Sequence, residues 1–257
     1  MAAKKVEYQV KDGLARIIFV NEAGGNALDL QACNEFAEAA AQTRKDSSIK
    51  AVLLEARGKS FSVGGDIRGF VANKDNIHQH VIDMTKGFHG GISDLRNGTA
   101  PLIIAVNGVA AGGGFSLVCS ADMAIAKRSA KFVAAYSRSG LSPDGGGTWF
   151  LPRIVGIQKA FDIFATNPTL SAEQARDLGI ISRVVEDDDF EAEVDKLARM
   201  IVESPPGALA ALKKLLNAST SATLQEQFDA EANSIASLAA SPSTMERLMA
   251  FLGKSEK

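Results

Sequence analysis

Hydrophobic positions along the chain fall into alternating runs at the start, unbroken apolar runs in the middle and helical stripes towards the end. The segment VEYQVKDGLARIIFV alternates about Asp12-Gly13. Two short strands joined by a D-G turn are predicted, a β-hairpin. A polar loop follows at Asn21–Asn26. Over Leu28–Lys45, Leu30, Cys33, Phe36, Ala37 and Ala40 then share one helical face. Ala51–Ala56 (AVLLEA) and, after Pro101, Leu102–Val106 (LIIAV) are solid apolar runs of strand length, as in strands buried on both faces. Residues 57–76 read as loop-rich, Ile77–Leu95 as helix, and Ala121–Ala126 and Lys131–Ala134 as two further strands. Strand, glycine turn and helix recur at a spacing of roughly fifty residues. That rhythm predicts α/β layers with short right-handed crossovers.

From about residue 157 the pattern becomes helical: Ile157–Thr166, Ser171–Leu178 with Ser171 as cap, Phe190–Glu203, Gly207–Ala218, Ala222–Leu238 and Pro242–Leu252. The break at Ser204-Pro205-Pro206-Gly207 divides a core, residues 1–204, from a helical region, 205–257. The last fifty or so residues are too few for a large core of their own. They are expected to pack on the main body or on a neighbouring subunit.

Composition narrows the function. The 257 residues carry 28 basic and 30 acidic side chains, a net charge of −2, which lacks the electrostatic footprint of a nucleic-acid binder. No run of 18 apolar residues is present, so no membrane span is expected. The start, MAAKKVEYQV, has no apolar export core, and a cytoplasmic protein is expected. Two cysteines, Cys33 and Cys119, make neither a disulfide framework nor a CxxC metal pair.

Glycine is the uneven component: 16 of the 23 fall between residues 51 and 150. Glycine is used where φ is positive or where backbone approaches something closely, so the cluster points to a site built from main chain. Ser60-Phe61-Ser62-Val63-Gly64-Gly65-Asp66-Ile67 follows AVLLEA, and Asn107-Gly108-Val109-Ala110-Ala111-Gly112-Gly113-Gly114-Phe115 follows LIIAV. Each delivers glycines from a strand end into a helix start, where N–H groups have no partner. Two such ends together would form an oxyanion hole. Either loop alone reads equally as a tight turn, and neither matches GxGxxG or GxxxxGK[ST], the nucleotide fingerprints.

Gly64-Gly65-Asp66-Ile67, then Pro101–Gly108 with Gly112-Gly113-Gly114, then Ser142-Pro143-Asp144-Gly145-Gly146-Gly147-Thr148 resemble the successive motifs of the enoyl-CoA hydratase/isomerase (crotonase) family. Leu170–Ala175, Leu178–Ile181 and Met249-Ala250-Phe251-Leu252 resemble its later pattern, so the likeness runs from about residue 6 to 254. It implies a crotonase-like α/β fold: a spiral of ββα units with a helical C-terminal region that makes trimers or pairs of trimers. It implies an acyl-CoA thioester as substrate, with coenzyme A as part of the substrate and no separate cofactor or metal. The N–H groups of Gly65 and Gly113 would hold the thioester oxygen, with Gly64, Asp66, Ile67 and Gly112 beside the substrate.

The family's hydratases use two glutamates, and the matching positions here are Ser116 and Tyr136. Neither is a carboxylate, so hydration of that type is not expected. Asp144 stands where aspartate-dependent subfamilies carry their essential carboxylate, although an aspartate before a helix is also an ordinary cap. In the CoA isomerases, including those of dienoyl-CoA and of the phenylacetate-pathway epoxide, that aspartate moves a proton between two carbons. Their stretch resembles Gly140–Arg153. In the 4-chlorobenzoyl-CoA dehalogenases it is a nucleophile, helped by a histidine matching His89 and by a tryptophan where this chain has Tyr136. The isomerase is the favoured reading. A dehalogenase, a residual hydratase and a catalytically silent acyl-CoA binder stay open as alternatives.

His89 reads as a packing or surface residue or as a participant. Tyr136 could donate its hydroxyl to substrate or line the pocket, as could Ser116. His78 and His80 lie in the stretch that the family uses as a mobile pocket wall, and Trp149 is expected in the core. Asn21–Leu28 lacks the family's basic residue, while Phe251 and Lys254 match an aromatic and a lysine that could reach the nucleotide.

Overall fold

A computed structural model describes residues 3–255, with side chains as far as Gly253. Asp12 and Gly13 both take left-handed backbone (φ 51° and 82°), which matches the twist of the strands they join. Strands β1 (Val6–Lys11) and β2 (Leu14–Phe19) pair antiparallel from Lys11↔Leu14 to Val6↔Phe19, the expected hairpin. Then follow α1 (Leu30–Lys45), β3 (Ala51–Ala56), β4 (Ser60–Ser62), α2 (Ile67–Ala72) and α3 (Ile77–Asn97). The middle of the chain supplies β5 (Leu102–Val106), β6 (Val109–Ala111), α4 (Gly113–Cys119), β7 (Met123–Lys127) and β8 (Lys131–Val133). After these come α5 (Gly147–Val155), α6 (Ile157–Thr166), β9 (Leu170–Ser171), α7 (Ala172–Asp177), β10 (Arg183–Val185) and α8 (Phe190–Val202). The chain ends in α9 (Ala208–Ser219), α10 (Leu224–Ala239) and α11 (Pro242–Ser255).

Two sheets are built in step. The larger has the order β1-β2-β3-β5-β7-β10, parallel beyond the hairpin, and the smaller has the order β4-β6-β8-β9. Each pair β3-β4, β5-β6 and β7-β8 therefore gives one strand to each sheet before the chain turns off into helix. This is the α/β spiral of ββα units expected above. The solid apolar runs explain themselves: Leu53 and Ile103 pack under α8 with Phe190, Val194 and Leu197, while Leu54 and Ile104 join the main core with Phe36 and Phe88. Truncating such a leucine to alanine typically costs about 2–5 kcal/mol.

Helices α1 and α3 lie against each other so closely that a Cβ at Gly91 would sit 2.5 Å from the Phe36 ring. A buried cation helps to attach the C-terminal region to the core, beside Asn217, which donates to Arg96 O at 3.2 Å. Lys213 of α9 donates to Leu95 O (2.8 Å) and Ala100 O (2.9 Å) and pairs with Asp122 (2.8 Å), which Arg96 also holds at 2.7 Å. The apolar faces of α9 and α10, including Leu216, Leu224, Phe228 and Ile235, are exposed in the protomer.

The loop-rich stretch 57–76 holds the short elements β4 and α2. Helix α5 begins at Gly147, just after Asp144, as expected of an aspartate that precedes a helix. One expectation needs correction. Trp149 is 42% exposed: Gly147 and Leu151 form the buried side of α5, and Trp149, two positions off, faces away under the Arg153 guanidinium at 3.9 Å.

Candidate active site

The glycine loops meet because the strands preceding them pair. Ser60 and Ser62 of β4 lie parallel to Val109 and Ala110 of β6, so both loops leave the small sheet at the same edge. Gly64 has φ +89°, and a Cβ there would stand 2.8 Å from Ala111 O and 3.3 Å from the Gly113 nitrogen. Only glycine permits both that conformation and that approach. Leu28 bridges to Gly65: the Leu28 N–H donates to Gly64 O (2.8 Å) and the Asp66 N–H to Leu28 O (3.1 Å). In such a parallel bridge, the N–H of Gly65 itself points the other way. Gly113 opens α4, where an N–H has no intrahelical acceptor. Among the described residues, neither N–H finds an acceptor in the chain.

Both glycines line a cavity of about 40 Å³, together with Asp144. One wall is a stripe of α3, Val81, Met84, Thr85 and Phe88, spaced as one helix face. The Thr85 hydroxyl turns back to donate to Val81 O at 2.9 Å, so the stripe presents no free hydroxyl. Leu28, Cys33 and Phe70 complete the lining. Burial, with the Asp29 and Asp144 charges behind it, pushes the Cys33 thiol up to about 12. The thiol is thus protonated and inert near neutrality. Asp144 is the cavity's one carboxylate among the described residues.

Asp144 is held from several sides. The Tyr136 hydroxyl donates to Oδ1 at 2.7 Å, and Ser116 Oγ lies 2.8 Å from that hydroxyl. With its own hydrogen committed to Asp144, Tyr136 accepts from Ser116. Burial first, then the Asp144 charge, raises the Tyr136 pKa, so the phenol stays a donor. The next two residues, Gly145 and Gly146, take left-handed backbone (φ +59° and +75°). The Gly145 N–H donates to His89 Nε2 at 3.0 Å, and the Gly147 N–H donates to Asp144 O at 3.0 Å.

Of the residues picked out from sequence, Gly65, Gly113 and Asp144 come together in the cavity. Gly64 and Gly112 hold the loops in contact rather than line it. Tyr136 reaches Asp144 instead of the cavity, Ser116, fully buried, reaches only the Tyr136 hydroxyl, and His89 reaches the backbone N–H of Gly145. Asp66 caps α2 by accepting from the Arg68 N–H, and Ile67 is half exposed. Phe251 lies on α11 outside the cavity lining, and the Lys254 side chain falls outside the described residues. Sequence reading missed Val81, Met84, Thr85 and Phe88, although their spacing was a usable signal. A larger trough, about 620 Å³, opens between the hairpin and α8. It is a charged surface feature in which Arg16 is already held by Glu55 and Asp195.

Comparison with known proteins bears on the family and the fold. The family model described as enoyl-CoA hydratase/isomerase matches residues 9–257. The 1,2-epoxyphenylacetyl-CoA isomerase of Escherichia coli K12 is 35% identical over 221 residues, covering 86% of this chain and 84% of that protein. The 4-chlorobenzoyl coenzyme A dehalogenase-2 of an Arthrobacter species is 30% identical over 244 residues, 95% of this chain and 88% of that one. The crystal structure of an enoyl-CoA hydratase from Polaromonas sp. JS666 superposes with a TM-score of 0.91 at 30% identity, covering 97% of each chain. The three names denote three reactions. No helix among the described residues is long and apolar enough to cross a membrane.

Proposed function

The chain belongs to the enoyl-CoA hydratase/isomerase family, and from that premise we propose that it is an acyl-CoA isomerase in which Asp144 is the single proton shuttle. The observation that carries this reading is the cavity's composition: two unpartnered main-chain donors, Gly65 and Gly113, and one carboxylate, Asp144, in an otherwise apolar lining. Taking a proton from the carbon next to a thioester drives charge onto the carbonyl oxygen. Two fixed N–H groups stabilise that charge, and removing one such donor typically costs about 2.7–4 kcal/mol.

Asp144 Oδ1 is engaged by Tyr136, which leaves Oδ2 as the oxygen that exchanges the proton. The C2–H bond of a bound 3-enoyl thioester breaks, its proton passes to Oδ2, and its electron pair delocalises into the dienolate. The same proton then bonds to C4, and the double bond moves to C2–C3. One base suffices, alternating as acid. The aspartate-bearing ring-epoxide isomerases, of which a relative is named above, are the related substrate class. A dehalogenase is the competing reading, favoured by the presence of Asp144 and His89 near one turn and by a relative of that name. Against it, the His89 Nε2 lone pair is engaged with Gly145 and cannot also take a proton from water. Against a hydratase, Ser116 and Tyr136 supply no carboxylate and bond to one another. The exposed apolar faces of α9 and α10 fit burial in a trimer or a pair of trimers.

A panel of 3-enoyl-, 2-enoyl-, ring-epoxide- and 4-chlorobenzoyl-CoA esters, followed for double-bond migration, water addition and chloride release, tests the reading. Isomerisation at unchanged mass is expected. Water addition or chloride release as the main reaction overturns it, and binding without turnover marks a silent binder.

A further inference from the structure

Besides Tyr136, which bonds the Asp144 carboxylate, a second side chain from outside the cavity holds the backbone of the turn. Gly145 has φ +59°, and a Cβ there would sit 2.7 Å from the Phe88 ring and 3.1 Å from Ser116 Cβ, so α3 presses directly on this turn. The next residue of α3, His89, is exposed and lies in a groove of about 290 Å³ with Ile92, Ser93, Gly146 and Trp149. Its Nε2 accepts the Gly145 N–H at 3.0 Å. That amide directly follows the Asp144 carbonyl, so holding its N–H fixes the peptide plane that contains Asp144 Cα, the atom from which the carboxylate side chain departs. A histidine nitrogen that accepts carries no proton, so the hydrogen sits on Nδ1.

We propose that His89 is a positioning residue: as the neutral Nδ1–H tautomer, it fixes the peptide after Asp144 and thereby aims the carboxylate at the substrate. This rests on the reading of Asp144 as the shuttle. The same helix lines the cavity through Met84 and Phe88, so one element sets both the acyl wall and the angle of the base. The role differs from that of a general base in one checkable way: it requires an acceptor at the reach of Nε2, not a titrating group. Glutamine Oε1 has about that reach; asparagine reaches only as far as Nδ1, and leucine has no acceptor.

The experiment compares H89Q, H89N and H89L with the parent in steady-state enoyl-CoA isomerisation, with each variant's Tm recorded. H89L and H89N are expected to lose roughly 10- to 100-fold in kcat, the scale of one lost hydrogen bond, with KM little changed. H89Q is expected to recover to within about fivefold of the parent, since its acceptor replaces the lost one at slightly different geometry. Nitrogen-15 NMR of the parent reads the tautomer directly, because the chain has three histidines and H89Q removes the relevant signal. It should give a protonated Nδ1 and a bare Nε2. An H89Q variant as damaged as H89L, or an Nε2–H tautomer in the parent, overturns the proposal. The two readings fail separately: a parent-like D144N removes the aspartate assignment. A dead D144N alongside a damaged H89Q removes only the positioning role.

Discussion

Main-chain donors are difficult to remove by exchanging a side chain, but the structure offers a way to displace them. The Cβ of a Gly64→Ala variant would lie 2.8 Å from Ala111 O, about 0.6 Å inside ordinary contact, and 3.3 Å from the Gly113 nitrogen. Neither neighbour is a flexible side-chain tip, so the two loops must part by roughly that distance. A catalytic constellation tolerates about 0.5 Å, and a displacement of 1 Å typically costs about a hundredfold. A kcat loss of roughly 10- to 100-fold is therefore expected. The loss of a whole oxyanion donor, about 10²- to 10³-fold, sets the upper bound. Left-handed backbone at alanine adds about 1–2 kcal/mol of strain, lowering Tm by roughly 2–8 °C in a chain of this size. KM should move little, because the donors act mainly on the charge that develops during reaction. Gly90→Ala is the control: its Cβ would meet nothing within 4 Å, and alanine should raise helix stability by about 0.5–1 kcal/mol. A folded G64A enzyme with kcat within about twofold of the parent would refute the hole.

Two further predictions concern buried groups. Replacing Lys213 by Met strips a cation from Leu95 O, Ala100 O and Asp122. It should cost about 3–5 kcal/mol, seen as a Tm drop of roughly 6–20 °C by calorimetry. Burial holds the Lys213 pKa below its ordinary 10.5, partly offset by Asp122. Between the lowered folded value and 10.5 the unfolded chain holds more protons, so the parent should gain stability relative to K213M as pH rises through that window. A Tm unchanged by K213M would contradict this. Ser116→Glu, which restores a carboxylate at one hydratase position, should add no hydration activity. Ser116 is fully buried, and a Gly147 Cβ would already stand 2.5 Å from its Oγ. Overpacking of about 1–3 kcal/mol, plus a carboxylate near Asp144, should lower Tm sharply. A stable S116E that adds water would show that the pocket is differently shaped.

Much of this architecture was legible in the sequence because it is carried by long repeats of one chemistry. The hairpin shows in period-2 alternation about Asp12-Gly13, and β3 and β5 show as solid apolar runs that only strands covered on both faces need. Strands β4 and β6 have three residues each, too short for any period, and they take their conformation from pairing with one another. Their pairing nevertheless makes the site, by bringing Gly64 against Gly112 and Gly113. Asp144 could be picked out only by its place in the motif that resembles the family, since an aspartate before a helix is otherwise an ordinary cap. Its partners could not, since Ser116, Tyr136 and His89 lie 28, 8 and 55 residues away and meet it only through the fold. The family match suggested substrate contacts at these three positions, whereas in the structure Tyr136 bonds the carboxylate, Ser116 bonds Tyr136 and His89 bonds the Gly145 N–H.

The central claim is that one carboxylate moves one proton, and Asp144→Asn tests it most directly. The amide occupies nearly the same volume but has no base, so the parent and D144N should bind a 3-enoyl-CoA ester alike. The parent should convert it to the 2-enoyl isomer without change of mass, and D144N should fail to do so. A D144N enzyme that isomerises at the parent's rate would contradict the account.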